Sequence, residues 1–302
     1  MPVRYDITHT TTYRYQVPVR FGEHRVMFRP RDSHDLRVLA TDLEVSPVAE
    51  IRMIQDPHSN SVALVQPLAD ADELRIVCTF VIENAGAFGQ ELPIAPSAEF
   101  FPFAYTVEER FDLEHYLRPH YDDPEGVLSA WARQFIATDG PTRTRDLLLR
   151  MNQHIRDELT YAARDEEGTQ TPLETLASGS GSCRDFALLM MEAARRLGVA
   201  TRFVSGYLYD PALDGDDPAL DGDESAQGTV GAGATHAWLQ AYLPGAGWVM
   251  FDPTNNLLGG AQHVRVGVAR DPRQAAPISG TWYGPGDAYL GMEVEVRVRR
   301  ID

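Results

Sequence analysis

The sequence predicts an α+β protein: an antiparallel β-sandwich over residues 1–105, then a second domain over residues 106–302 built on a central helix and later strands. Three observations carry this. The first 84 residues hold short β-branched and aromatic runs between polar turns, with no helical period. Apolar residues recur at helical spacing between residues 124 and 197. A further set of strand-like runs follows that helical stretch.

In order, Tyr5 to Tyr15, Arg25 to Pro30 and Leu36 to Val45 read as strands, rich in the residue types that fit a pleated surface. Ile51 to Ile54 and Val62 to Val65 flank Asp56-Pro57-His58-Ser59-Asn60, a turn by composition. From Leu74 to Ile82, alternation puts Ile76, Cys78, Phe80 and Ile82 on one face, so Cys78 reads as core. Residues 85–123 are irregular and rich in Pro and aromatics, which suggests a packed connector. Helices are expected over Pro124 to Ala137, which carries Leu128, Trp131 and Phe135, and over Thr144 to Tyr161, which carries Leu147, Leu148, Met151 and Ile155. Val199 to Tyr209 reads as a strand, and Met292 to Arg299 as a last one with charged residues on one face.

The chemistry centres on Gly179-Ser180-Gly181-Ser182-Cys183-Arg184-Asp185-Phe186. Ser182 and Asp185 have capping-box spacing, which makes Cys183 the first residue of a helix continuing through Phe186, Leu189, Met190 and Ala193 to Gly198. Unpaired N–H groups and the positive end of the helix dipole favour the thiolate there, and the thiolate is the nucleophile. The plain alternative is a small buried residue opening a core helix. Downstream, Thr235 to Leu243 and Trp248 to Pro253 read as two strands of a hairpin around Pro244-Gly245-Ala246-Gly247, carrying His236 and Asp252. Cysteine as nucleophile, histidine as base and aspartate as orienting group is the logic of a catalytic triad. An even-length turn would put His236 and Asp252 on opposite sheet faces. The triad therefore requires an odd turn, such as Pro244 to Ala246, or a bulge.

These residues, with Arg202-Phe203-Val204-Ser205-Gly206-Tyr207, Thr235-His236-Ala237-Trp238 and Phe251-Asp252-Pro253-Thr254-Asn255, resemble the bacterial transglutaminase-like proteins of the papain-like fold. The motif-bearing part runs from Leu147 to Asn256, and the residues before it resemble the β-rich amino-terminal region that accompanies this core. The resemblance implies a papain-like, transglutaminase-like core with Cys183 as nucleophile, His236 as base and Asp252 as third member. It implies acyl transfer on a protein or peptide amide through a thioester. A cysteine peptidase or amidase using water, and a non-catalytic binding module, are the alternatives. Tyr161 is a candidate oxyanion donor beside the Cys183 N–H, and Asp185 is a candidate helix cap only. No cofactor is implied.

Composition narrows the partners. A formal charge of −17 over 302 residues disfavours nucleic acid, and no apolar run is long enough to span a membrane. The amino terminus lacks the apolar core of a secretory signal, which with two unpaired cysteines suggests the cytoplasm. His9, His24, His34 and His58 lack metal-ligand spacing. Asp210 to Asp216 is repeated without change as Asp217 to Asp223. This tandem copy reads as a tolerant acidic surface loop, without the glutamate that would close a calcium loop.

Overall fold

The computed structural model describes residues 2–86, 92–164, 168–213, 229–230 and 233–302. The amino-terminal part consists of β1 (Val3–Phe21), β2 (His24–Val26), β3 (Leu36–Ser46), β4 (Ala49–Gln55), β5 (Ser61–Pro67) and β6 (Ala71–Asn84). β1, β6 and β3 are neighbours in one antiparallel sheet, and β2, β5 and β4 in another. Alternation along β6 buries Leu74, Ile76, Cys78, Phe80 and Ile82, as the sequence pattern requires, and these join Val26, Ala63 and Val65 of the other sheet in one core.

The chain does not divide at residue 105 as expected. The carboxy-terminal strand Tyr289–Arg300 returns to β1 and pairs with it from Tyr5↔Arg300 to Tyr15↔Tyr289. Trp282 and Tyr283 extend β1 at Phe21 and Arg20, and Ile278 pairs with Val26 of β2. The tail therefore completes the amino-terminal sheets. Among the described residues β1 has no partner on that side besides this tail, so an unreturned tail would leave a long open strand edge. The connector is also less irregular than its composition suggests. Val107–Asp112 is a short helix closed by a capping box between Thr106 and Glu109, and Glu114–Leu117 adds another turn.

Of the expected helices, the first shortens to Val127–Arg133 and the second spans Thr144–Glu158, burying Leu147, Leu148, Met151 and Ile155. Both pack on the cysteine helix, Cys183–Arg196, whose residues from Phe186 to Ala194 are buried. Beside it lies a five-stranded sheet in the order Leu257–Leu258, Gly247–Asp252, His236–Leu243, Thr201–Leu208, His263–Ala269. Leu239, Ala241, Val249, Phe251 and Phe203 of this sheet share the core of the cysteine helix.

The two halves share more than sequence continuity. Tyr207, Tyr209, Val264 and Val266 lie in the same core as β1 and β6. His9 Nδ1 and the Tyr207 hydroxyl are 2.7 Å apart, and burial pushes the His9 pKa down to about 3, so the joint is uncharged. Asn60 brackets Val268, donating to its carbonyl at 2.7 Å and accepting from its N–H at 2.9 Å.

Gly206, at the middle of this sheet, is fixed by space. A Cβ there would lie 2.0 Å from the Val264 carbonyl oxygen and 2.8 Å from Trp238 Cη2. Substitution by alanine forces backbone apart. Gly206→Ala is expected to lower stability by about 1–3 kcal/mol or more in urea unfolding. Gly286→Ala, where nothing lies within 4 Å, is expected to change it by less than about 0.5 kcal/mol.

Candidate active site

The cysteine is presented by a sequence of local devices. Helix Pro172–Ser178 starts at a capping box in which Thr171 N–H donates to Glu174 at 2.7 Å and Glu174 N–H to Thr171 Oγ1 at 3.2 Å. It ends at Gly179, whose φ of 64° reverses the chain in the left-handed region that glycine tolerates. Ser180 and Gly181 then form a parallel bridge with Thr160 and Tyr161. Ser182 caps the next helix through Asp185, whose Oδ2 accepts from the Ser182 N–H and from its hydroxyl, both at 2.8 Å. Asp185 also accepts from Gln170 N–H at 2.7 Å and from Arg164 at 3.1 Å. It is therefore a buried anchor for three chain segments, a wider structural role than a cap alone. Cys183 follows as the first helical residue, 7% exposed, and neither cysteine is in a disulfide.

The hairpin has the odd turn that the triad requires. Leu239↔Phe251, Gln240↔Met250, Ala241↔Val249, Tyr242↔Trp248 and Leu243↔Gly247 pair across Pro244, Gly245 and Ala246. Continuing this register puts Trp238 opposite Asp252 and His236 on the same face two residues away. His236 Nε2 and Asp252 Oδ2 are 2.8 Å apart, with both side chains fully buried. Asp252 holds one ring nitrogen. Nδ1 has no conventional partner among the described residues, and the Cys183 thiol lies close enough to act on the imidazole.

Electrostatics separates the groups. Burial works against charge on His236, but the Asp252 carboxylate and then the Cys183 sulfur outweigh it and raise the imidazole pKa. Burial also opposes charge on Asp252, yet His236 and then His263 hold its carboxyl far below the usual range. The arrangement favours an imidazolium against a carboxylate, beside a sulfur. Tyr161 is placed near Cys183 by the bridge to Gly181; burial first, then the neighbouring sulfur, raises its phenol pKa.

Two members of this site escaped the sequence reading. His263 Nε2 lies 3.0 Å from Asp252 Oδ2, the oxygen that also serves His236. Asn255 donates its side-chain N–H to Oδ2 at 3.0 Å, while the N–H groups of Thr254 and Asn255 reach Oδ1 at 3.0 and 3.3 Å. Asn255 lies in the Pro-Thr-Asn turn after Asp252, so its self-bonding turn chemistry was readable; His263 had no comparable signal. Asn255 also exchanges hydrogen bonds with Val230, at 3.1 and 3.2 Å. Of the duplicated acidic stretch, Asp210 to Leu213 is described; 214–223 lies outside the described residues. Asp210 accepts from Ala212 N–H and Thr229 N–H.

His236, Asp252 and His263 bring two imidazole nitrogens and a carboxylate oxygen within 4.8 Å of one another, donor types suited to a transition metal. Both nitrogens are engaged on Asp252 Oδ2, so a metal among them would replace the bond that orients His236.

Comparison with known proteins agrees with this geometry. The model described as the transglutaminase-like superfamily matches residues 129–253, a span that contains Cys183, His236 and Asp252. The model of the bacterial transglutaminase-like N-terminal region matches residues 5–83. An uncharacterized protein of Mycobacterium leprae is 27% identical over 297 residues, 97% of this chain and 98% of that one. One from Mycobacterium tuberculosis (strain H37Rv) is 27% identical over 296 residues, 93% of this chain and 88% of its own. A solved structure of a candidate cysteine protease from Cytophaga hutchinsonii superposes with a TM-score of 0.69 at 19% identity, covering 100% of this chain and 92% of that one, and so shares the fold. Residues 129–253 are a core of the transglutaminase-like superfamily, and residues 5–83 are a bacterial transglutaminase-like N-terminal region.

Proposed function

We propose that this protein is a cysteine-dependent acyltransferase of transglutaminase type, acting on an amide of a protein or peptide through a thioester on Cys183. The observation that carries this reading is the His236–Asp252 pair at 2.8 Å beside the thiol at the start of a buried helix. His236 takes the thiol proton, and Asp252 holds the resulting imidazolium in orientation. The sulfur attacks the amide carbonyl carbon, and the oxyanion accepts from the Cys183 N–H at the positive end of the helix. Tyr161 is the proposed second donor. His236 returns the proton to the departing nitrogen, the C–N bond breaks, and an amine or ammonia leaves the acyl-thioester. An incoming primary amine then gives up a proton to His236, forms the new amide bond and releases the sulfur. Water in place of the amine gives hydrolysis by the same steps.

Incubation with a glutamine-containing peptide and a labelled primary amine tests this directly. Label should enter the peptide as ammonia is released, and Cys183→Ala should reduce the rate by at least about a thousandfold. Cleavage or deamidation without label would assign the enzyme to the hydrolases. An unaffected Cys183→Ala variant would end the catalytic reading.

The ion pair also has a pH signature. Asp252, held below its ordinary 3.8, adds stability that is complete above that value and is lost on acidification. His236, raised above its ordinary 6.5, adds stability that is complete below 6.5 and is lost as pH rises toward the raised value. Urea unfolding of Asp252→Asn should therefore show its largest deficit, about 3 kcal/mol or more, between these two values. The deficit should shrink on either side. A deficit independent of pH would show that the pair is not charged in the folded protein.

A further inference from the structure

We infer that His263 is a positioning residue of the active site, a second imidazole that fixes Asp252 so that Asp252 can fix His236; this rests on the proposed catalytic reading. The placement of His263 depends on one irregularity in the sheet. Strand Thr201–Leu208 lies between the strand that begins with His236 and the strand that begins with His263. On one side Gly206 pairs with His236. On the other, Ser205 pairs with Gly267, the register slips by one residue, and Gly206 then pairs with Arg265 and Leu208 with His263. Residues opposite one another share a face, as do residues two apart, so His236, Gly206, Leu208 and His263 share one face. Without the slip His263 would stand opposite Tyr209 and point to the other side. The bulge therefore delivers the second histidine to the triad. Gly206, with no side chain, leaves the space between the two imidazoles to the ring of Trp238, whose centroid lies 5.8 Å from that of His236 and 4.9 Å from that of His263.

The bonding at Asp252 shows what the second histidine does. Oδ2 faces His236, His263 and the Asn255 amide, and Oδ1 faces two backbone N–H groups. A carboxylate with its acceptor sites occupied in this way has one orientation. The shared oxygen accepts, so the proton of His263 that faces it is on Nε2; Nδ1 has no partner among the described residues. Burial lowers the His263 pKa; Asp252 works against that and repulsion from His236 adds to it, whereas the His236 pKa is raised, so His263 competes less for the charge. The strand is tied at this point from outside: Asn84, at the end of β6, donates to the carbonyls of Ala261 and His263 at 2.8 and 3.0 Å.

The test compares two amide substitutions at position 263. The Gln side chain can place an N–H near the position of Nε2, whereas Asn is too short to reach. The readout is the rate of Cys183 alkylation by iodoacetamide as a function of pH, which needs no knowledge of the natural substrate. With the purified full-length chain, His263→Asn should react about tenfold more slowly than wild type near pH 6, its profile displaced to higher pH, while His263→Gln stays within about threefold. Two results would overturn the inference while leaving the triad in place. One is a folded His263→Asn with a wild-type profile; the other is equal loss in both variants with no displacement of the profile, which marks a structural role alone. A wild-type Cys183 no more reactive than an ordinary free thiol would remove the catalytic reading itself, and the inference with it.

Discussion

The site depends on keeping one carboxylate ionised where no water reaches it. Asp252 is fully buried, and an isolated anion there would cost several kcal/mol. The protein offsets that cost with two imidazole donors, one amide donor and two backbone N–H groups, drawn from the histidine strand, the strand beginning at His263 and the turn that follows Asp252 itself. Such an anion cannot be assembled from neighbouring residues alone. The five-stranded sheet has to be in register, with its turn odd and its bulge in place, before the donors converge.

That requirement gives the amino-terminal sheets a physical role in the site. The strand carrying His263 is at the edge of the catalytic sheet, and edge strands are the most easily lost. Here the edge is held from outside: Asn84 grips residues 261 and 263, Asn60 grips Val268, and Val264 and Val266 are buried with β1 and β6. The carboxy-terminal strand in turn completes the sheet containing β1. Both ends of the chain therefore support the wall on which the second histidine stands. Removal of the amino-terminal half would leave the triad residues in sequence but take away what holds one of the donors to Asp252.

Much of this was legible in the sequence, for identifiable reasons. The cysteine helix announced itself because capping and amphipathic spacing are local, set by residues three or four apart. The parity of the hairpin turn could be derived because a strand alternates with period two, so a functional pair on one face dictates an odd loop. The return of Tyr289–Arg300 to β1 was not legible, because a charged, alternating strand carries no mark of which partner it will take some 280 residues away. His263 stayed hidden for a sharper reason. Its face is decided by a one-residue bulge beside Gly267, and a strand glycine marks a close approach, here of Met27, as readily as a bulge. Gly206 did stand in a recognised motif, but a strand glycine records only that something approaches closely, without saying what.

The two histidines on Asp252 differ in role because they differ in neighbours. Each imidazole is buried and each donates to the same oxygen, so the carboxylate alone would not choose between them. His236 also has the Cys183 sulfur beside it, and a sulfur able to become an anion rewards positive charge there. His263 lacks that second opposing charge and is repelled by a charged His236. One proton is therefore held where it can be used and is disfavoured where it cannot. Pairs of titratable groups whose surroundings drive them apart are how a protein assigns acid and base roles without changing residue type. In this fold the assignment follows from which strand runs past the start of the cysteine helix.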